Sequence, residues 1–337
     1  MDASTDAILA RDFGLDEGKA VGFLEENPYE ENFLSHVLLG LAKPVKKIDP
    51  VYFYDKTGSD LFYRICQCAD YYPTRTEAQI FAQYKAAIAA HLPYGGLVVE
   101  LGGGGSRKID ALLSSGRVGA YVPTDVSRGH LLETAKAIAA DYKNLKVACV
   151  LGDYMVYDLP QSLKEAYKDR TIFFPGSTLG NLDLSSRRKL FERVASFLGA
   201  GYFLLGVDLV KDIKVLERAY NDSEGLTARF NKNLLTRINR ELSGDFDLDA
   251  FAHRAFFNKE KSRIEMHLES TKNQSVRVSG REFSFARGES IHTESSYKFV
   301  LDELIAFAKE FGFEFKKAWQ DDRGYFAEIL WQGGASS

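Results

Sequence analysis

Short apolar runs closed by an acidic residue recur through the middle of the chain. Leu97-Val98-Val99 ends in Glu100. Ala120-Tyr121-Val122-Pro123-Thr124 ends in Asp125. Val147-Ala148-Cys149-Val150-Leu151 leads into Gly152-Asp153. Continuous apolar runs of this kind predict strands buried on both faces, with helices in the stretches between them. Thr171–Phe174 and Tyr202–Val207 extend the pattern to a fourth and a fifth strand. Residues 1–75 read as helices and loops preceding the sheet, which opens at Leu97. Thr74-Arg75-Thr76-Glu77 has the form of a capping box, and Ile80, Phe81, Tyr84, Ala87 and Ile88 fall on one face of the helix it would start.

After Asp208 the alternation of strand and helix stops. Residues 211–245 read mostly as helix, with Phe230, Leu234, Leu235, Ile238 and Leu242 at helical spacing, a stripe that core packing explains. Arg263–Glu269 and Gln274–Val278 predict strands. In the first, Ile264, Met266 and Leu268 alternate with Arg263, Glu265, His267 and Glu269, the pattern of a half-buried strand. A helix over Lys298–Phe311, a closing hairpin of Phe313–Trp319 and Tyr325–Trp331, and a disordered tail from Gly333 to Ser337 complete the reading. The expected fold is therefore α/β with a split second unit of α+β type. Residues 76–210 and 298–332 build the sheet domain. Residues 1–75 and 211–297 build a substrate-binding unit able to cover the sheet's crevice, since binding clefts favour domain interfaces.

Composition narrows the function classes. The formal net charge is −4 over 337 residues, so no nucleic-acid partner is expected. The one basic cluster, Lys43 to Lys47, is broken by Pro44 and Val45 and reads as a solvated loop. The best apolar run, Tyr202 to Leu209, is short and contains Asp208, so no membrane partner is expected. The N-terminus lacks the layout of a signal peptide, and Cys66, Cys68 and Cys149 form neither a disulfide framework nor a zinc pattern. The six histidines show no ligand spacing. A cytoplasmic protein without a metal is the expectation.

The candidate chemistry starts at Glu100-Leu101-Gly102-Gly103-Gly104-Gly105-Ser106. A buried strand running into glycines lets a ligand approach the backbone, the position a nucleotide-like cofactor takes in an open α/β sheet. A dinucleotide turn needs a third glycine, and the two registers put Arg107 or Lys108 there instead. What remains is acid-x-Gly-x-Gly, Glu100 with Gly102 and Gly104, the turn used by S-adenosylmethionine-dependent methyltransferases. Asp125 follows about 20 residues on, where a second-strand carboxylate reaches ribose hydroxyls. Asp153, after the third strand, is placed to accept from an adenine amino group. Each aspartate alone could be a helix cap; the three strand-end signals in one register favour the cofactor. The fourth strand ends in Pro175-Gly176-Ser177-Thr178-Leu179-Gly180-Asn181, small residues that leave room, with an amide at Asn181.

Longer ordered motifs identify a family. Tyr54-Asp55-x-x-Gly58-Ser59-x-Leu61-Phe62, Tyr71-Tyr72-Pro73-Thr74-Arg75-Thr76-Glu77, Tyr121-Val122-Pro123-x-Asp125-Val126-Ser127, Gly176 to Asn181, Ala219-Tyr220-Asn221-Asp222, Arg263-Ile264-Glu265-Met266, Gly288-Glu289 and Thr293-Glu294-Ser295-Ser296-Tyr297-Lys298-Phe299 together resemble the histidine-specific methyltransferases. These enzymes make hercynine on the way to ergothioneine, and related fungal enzymes methylate a prenylated tryptophan. The resemblance runs from about Tyr52 to Trp331 and implies a Rossmann-like class I methyltransferase sheet. It also implies roles. Asn181 and Tyr220 would hold the substrate α-carboxylate, with Gly176 among the substrate-binding residues. Tyr54 and Tyr71 would stand near the α-amino group as the catalytic pair. Glu294 and Ser296 would read the imidazole beside Met266. Gly102, Lys108, Asp125 and Asp153 would contact the cofactor. The glycine run departs from relatives that carry a serine and a threonine among the glycines, which puts hydroxyl contacts to the cofactor in question.

The chemistry stands without the family. Methyl transfer from a sulfonium is an in-line displacement that needs alignment, exclusion of water and a deprotonated amine. A neutral imidazole offers one donor and one acceptor, which a carboxylate (Glu294) and a hydroxyl (Ser296) satisfy as a pair. Aromatic faces near the amine would favour methylated ammonium intermediates, so three successive transfers from S-adenosylmethionine to L-histidine are expected. The alternatives are the same chemistry on another amino acid, such as a tryptophan derivative, and a non-catalytic protein that binds S-adenosylmethionine.

Overall fold

The computed structural model describes residues 3–14, 21–26, 29–104, 107–156 and 158–334. Gly105 and Ser106 of the glycine run, and residues 335–337 of the expected tail, lie outside them. Gly333, expected in that tail, instead closes the last strand.

In chain order the strands are β1 (Gly22–Glu26), β2 (Gly96–Leu101), β3 (Val118–Asp125), β4 (Lys146–Gly152), β5 (Arg170–Phe174), β6 (Tyr202–Asp208), β7 (Phe251–Asn258), β8 (Arg263–Ser270), β9 (Gln274–Val278), β10 (Arg281–Phe285), β11 (Ser290–Tyr297), β12 (Phe313–Gln320) and β13 (Phe326–Gly333). The chain divides into two compact units. One comprises Met1–Pro28, Thr76–Leu209 and Phe299–Ser337, the other Tyr29–Arg75 and Val210–Lys298.

The first unit is a single sheet in the order β1-β4-β3-β2-β5-β6-β13-β12. β1 to β6 run parallel, and β13 and β12 turn antiparallel at the far edge. This is the Rossmann-like sheet expected. Successive strands move outward from β2 to β4, then resume on the other side of β2 with β5. The order thus reverses between β2 and β5, the place where open α/β sheets bind ligands. Both faces are covered. Ile80, Phe81, Leu112, Leu131 and Ile138 from helices pack on Val98, Tyr121, Cys149 and Leu204. On the opposite side Phe191 meets Phe203 and Trp331 at ring-centroid distances of 5.5 and 6.3 Å. Burial on two sides is why the strands read as continuous apolar runs.

Three expectations need correction. Residues 1–28 do not join the second unit: β1 pairs in register with β4, Gly22 opposite Ala148 through Glu26 opposite Gly152. Glu77 is not half of a capping box, because its helix starts at Tyr72; its carboxylate is used elsewhere, as described below. Lys298 does not open a helix of the sheet domain. It ends the second unit, and the helix spans Leu301–Lys309.

The second unit contains the three-stranded antiparallel sheet β11-β8-β7 and the β9-β10 hairpin. Its helices are Tyr29–Leu41, Lys56–Gln67, Ile213–Tyr220 and Leu226–Glu241. The stripe Phe230, Leu234, Leu235 and Ile238 is buried as core. No helix among the described residues is long and apolar enough to cross a membrane.

Candidate active site

In the sheet unit the chain leaves β2 through Gly102, whose φ of 77° suits glycine. The N–H groups of Gly102 and Gly103 both donate to Thr124 O at 2.9 Å, binding the turn to the end of β3. A Cβ on Gly103 would lie 2.8 Å from Pro123 Cβ, and one on Gly104 would lie 2.6 Å from Asp125 Cγ. Side chains at 103 and 104 are therefore excluded by the neighbouring strand end. Hydroxyl residues at these two positions would need a different turn.

The acids at the strand ends are held for acceptance. Asp125 Oδ2 accepts from Gly104 N at 3.0 Å and Oδ1 from Ser127 N at 2.8 Å. Asp153 Oδ1 accepts from Met155 N at 2.8 Å. Glu100 is fully buried and accepts from the Tyr121 hydroxyl, while its Oε1 has no partner among the described residues. Burial pushes its carboxyl up to about 8, so at neutral pH it is mostly a protonated donor. Lys108 Nζ pairs with Glu77, and it stands 3.2 Å from where a Cβ on Gly176 would be. Glu77 Oε1 also accepts from Gly176 N at 2.6 Å. Glu328 is buried beside them, and burial followed by the Glu77 charge raises its carboxyl well above the ordinary value. The set fits S-adenosylmethionine chemically: acceptors at two strand ends for ribose hydroxyls and an amino group, an ammonium for a carboxylate, an unpartnered buried oxygen beside the turn. Asn181 closes the short 3₁₀ turn Thr178–Asn181 in this same unit.

In the second unit, local rules fix each tyrosine. Asp55 caps the helix Lys56–Gln67 by accepting from Gly58 N at 2.7 Å, and also receives Asn233 and Arg240. A Cβ on Gly58 would lie 1.7 Å from Phe53 O, so only glycine fits there. This geometry presents Tyr54 to Phe62 and Phe230, both at 5.7 Å with edge-on rings. Tyr71 is held by Arg75, which donates to the carbonyls of Cys68, Ala69 and Tyr71. Its ring meets Phe62 at 6.4 Å and Tyr220 at 6.2 Å. Desolvation, then the Tyr220 hydroxyl, raises the Tyr71 phenol well above its usual value, so it remains protonated. Tyr220 ends its helix with its carbonyl 2.9 Å from His253 Nε2, and Asp222, two residues on, caps the following helix through Leu226 N and Thr227 N.

Strand β11 supplies the polar residues through a bulge. His292 pairs with His267, but Glu294 pairs with Met266, so Thr293 is the extra residue. Without it His292 and Glu294 would share a face. With it, Glu294, Ser296 and Met266 share one face, and His292 joins Glu265 and His267 on the other. Thr293 anchors the bulge by donating to Asn231 Oδ1 at 2.7 Å and Met266 O at 3.1 Å. Glu294 is 8% exposed, and burial pushes its carboxyl up to about 7 against the pull of the Lys298 ammonium. Ser296 Oγ accepts from the Tyr220 hydroxyl and from Lys298 Nζ, each at 2.8 Å, and Lys298 also reaches Tyr220 Oη at 3.3 Å.

The structure thus gathers Tyr54, Tyr71, Tyr220, Met266, Glu294 and Ser296 within the second unit. It gathers Glu100, Gly102, Gly104, Lys108, Asp125, Asp153, Gly176 and Asn181 within the sheet unit. Residues that sequence reasoning left unassigned are Phe62 and Lys298, both inside quoted motifs, and Phe230, whose helical spacing marked it only as core. Histidines with no ligand spacing along the chain meet across strands: the Glu265, His267 and His292 ligand atoms lie within 4.8 Å of one another. The two rings stack at 4.8 Å, and Arg263 holds Glu265, whose carboxyl is lowered to about 2. Burial lowers His292 to about 4.

A family model described as "Histidine-specific methyltransferase, SAM-dependent" matches residues 33–333. A histidine N-alpha-methyltransferase of Mycolicibacterium smegmatis is 40% identical over 317 residues, covering 91% of this chain and 97% of the relative. Ergothioneine biosynthesis protein 1 of Neurospora crassa is 27% identical over 267 residues, 69% of this chain and 30% of its own length. A 4-dimethylallyltryptophan N-methyltransferase of Arthroderma benhamiae is 27% identical over 217 residues, 60% of this chain and 63% of the relative.

Proposed function

Since the chain belongs to the S-adenosylmethionine-dependent, histidine-specific methyltransferases, it is an N-methyltransferase, and we propose that it methylates the α-amino nitrogen of L-histidine three times to give hercynine for ergothioneine biosynthesis. S-Adenosylmethionine supplies an activated methyl group on a sulfonium. Glu100, Gly102, Gly104, Lys108, Asp125 and Asp153 hold it. Glu294 accepts from one imidazole N–H while Ser296 donates to the other ring nitrogen, and Met266 lines the same pocket. Asn181 and Tyr220 receive the α-carboxylate, with Gly176 among the substrate-binding residues. Tyr54 and Tyr71 flank the amine: with its phenol raised, Tyr71 stays protonated and orients the amine rather than taking its proton.

The observation that carries the histidine reading is the placement of Glu294 and Ser296 on one sheet face beside Met266. A buried carboxylate and a buried hydroxyl demand a donor and an acceptor, which imidazole has and an indole lacks. The edge-on cluster of Tyr54, Phe62, Tyr71, Phe230 and Tyr220 supports three transfers, because aromatic faces retain di- and trimethylated ammonium groups. The test is to incubate the purified protein with S-adenosylmethionine and the common amino acids together and weigh the products. Histidine alone gaining three methyl groups is expected. Methylation of tryptophan or another amino acid in its place removes the roles given to Glu294 and Ser296.

A further inference from the structure

We propose that Lys298 is a positioning residue that fixes the hydrogen-bond polarity of Ser296, so that the side-chain pocket selects neutral imidazole in a single tautomer. The inference rests on the reading of Glu294 and Ser296 as the residues that meet the imidazole. A serine hydroxyl has one proton and two lone pairs, and left alone it donates or accepts as its partner requires. An ammonium only donates. Lys298 Nζ lies 2.8 Å from Ser296 Oγ, and the Tyr220 hydroxyl donates to the same oxygen at 2.8 Å. Both lone pairs of Ser296 are thereby used, and its proton is left to point at an outside acceptor. Lys298 also reaches Tyr220 Oη at 3.3 Å. When Tyr220 turns its proton to a substrate carboxylate, the lysine still occupies one Ser296 lone pair and the phenol oxygen, 2.8 Å away, still covers the other.

The lysine is 4% exposed, a rare place for a cation without a task. Lys298 directly follows β11: after the bulge at Thr293, Glu294 and Ser296 fall on one face, and Lys298 continues their two-residue spacing just past Tyr297. Ser262 fixes the backbone there, its carbonyl accepting from Lys298 N at 2.8 Å and its hydroxyl donating to Lys298 O at 3.1 Å. With Ser296 held as a donor, Glu294 must be the acceptor. The pocket then fits an imidazole that shows one bare nitrogen and one N–H. An imidazolium, with two N–H groups, meets a donor at Ser296. A five-membered ring with an N–H but no second nitrogen leaves the Ser296 proton unmatched.

The experiment compares L-histidine with 3-(pyrrol-2-yl)alanine, which retains an N–H and lacks the acceptor nitrogen. In the parent protein histidine is preferred in kcat/KM by about 100-fold or more. In Lys298→Met that preference falls to about tenfold or less, with S-adenosylmethionine affinity by calorimetry unchanged, and Lys298→Arg recovers most of it. A Lys298→Met protein that is merely less stable, with the preference intact, overturns the inference. A measurement on the parent protein stands even if that variant does not fold. Bound ¹⁵N-histidine should show one pyridine-type and one pyrrole-type ring nitrogen near pH 6.5, whereas an imidazolium or a tautomer mixture overturns the inference. If the parent protein does not methylate histidine at all, the failure lies in the substrate reading, not in Lys298.

Discussion

Tyr220 Oη donates to Ser296 Oγ across 2.8 Å, tying the end of the helix Ile213–Tyr220 to strand β11. Roles that the family resemblance gives to opposite ends of the substrate, carboxylate and imidazole, are therefore linked through one hydrogen bond. Tyr220→Phe keeps the ring and removes the link. Its KM for histidine should rise about tenfold, the worth of about one buried hydrogen bond, while cofactor affinity stays constant. Steady-state kinetics beside calorimetry checks this.

Removing either imidazole partner should hurt more. Glu294→Ala and Ser296→Ala leave a buried ring nitrogen unmatched, so each should lower kcat/KM for histidine by about 100-fold or more. Neither should change the binding of S-adenosylmethionine. Unchanged histidine turnover in Glu294→Ala contradicts its assignment.

Glu294 also makes stability depend on pH. Its carboxyl is raised from the ordinary 4.5 to about 7 by burial, so between these values the folded protein binds more protons than the unfolded chain. Stability then falls as pH rises through this window, and the cost is complete above about 7. Glu294→Gln removes it. Relative to the parent the variant should gain up to about 3 kcal/mol at pH 8 and nothing near pH 4.5. Urea melts at the two pH values read the difference, and a pH-independent difference counts against the buried acid.

Much of this was legible in the chain. β2 to β6 stood out because strands buried on both faces are continuously apolar. The quoted motifs are explained by local geometry: Asp55 caps a helix, Gly58 lies against Phe53 O, and Asp222 caps the next helix. Three features were not legible. β1 is a short edge strand with two of its five residues exposed. β11 is buried at nearly every position yet carries Thr293, Glu294, Ser295 and Ser296, and its bulge breaks the alternation that marks a strand. Lys298 is a cation in a buried place, which sequence pattern assigns to the surface. Both β11 and Lys298 belong to the candidate site, where polar burial serves recognition rather than folding.

The glycine turn makes its own prediction. In Gly104→Ala the added Cβ would press on the Asp125 carboxyl at 2.6 to 2.8 Å. That carboxylate must shift, and affinity for S-adenosylmethionine should fall about tenfold or more, as the loss of one charge-assisted hydrogen bond implies. Titration calorimetry without histidine reads it, and an unchanged affinity would separate Asp125 from the cofactor.

Gly58→Ala should be costly for a different reason. Its Cβ would overlap Phe53 O at 1.7 Å, a backbone clash that no rotamer relieves. A loss of about 3 kcal/mol or more is expected, seen as a fall in Tm.

The most direct test of the central claim is the position of the methyl groups on histidine. Purified protein, S-adenosylmethionine and L-histidine are combined, and the product is fragmented by tandem mass spectrometry over a time course. Three methyl groups on the α-nitrogen, with the imidazole unmodified and little mono- or dimethyl product released, is the result predicted. Methyl groups on the ring, or histidine recovered unchanged with active cofactor binding, would contradict it.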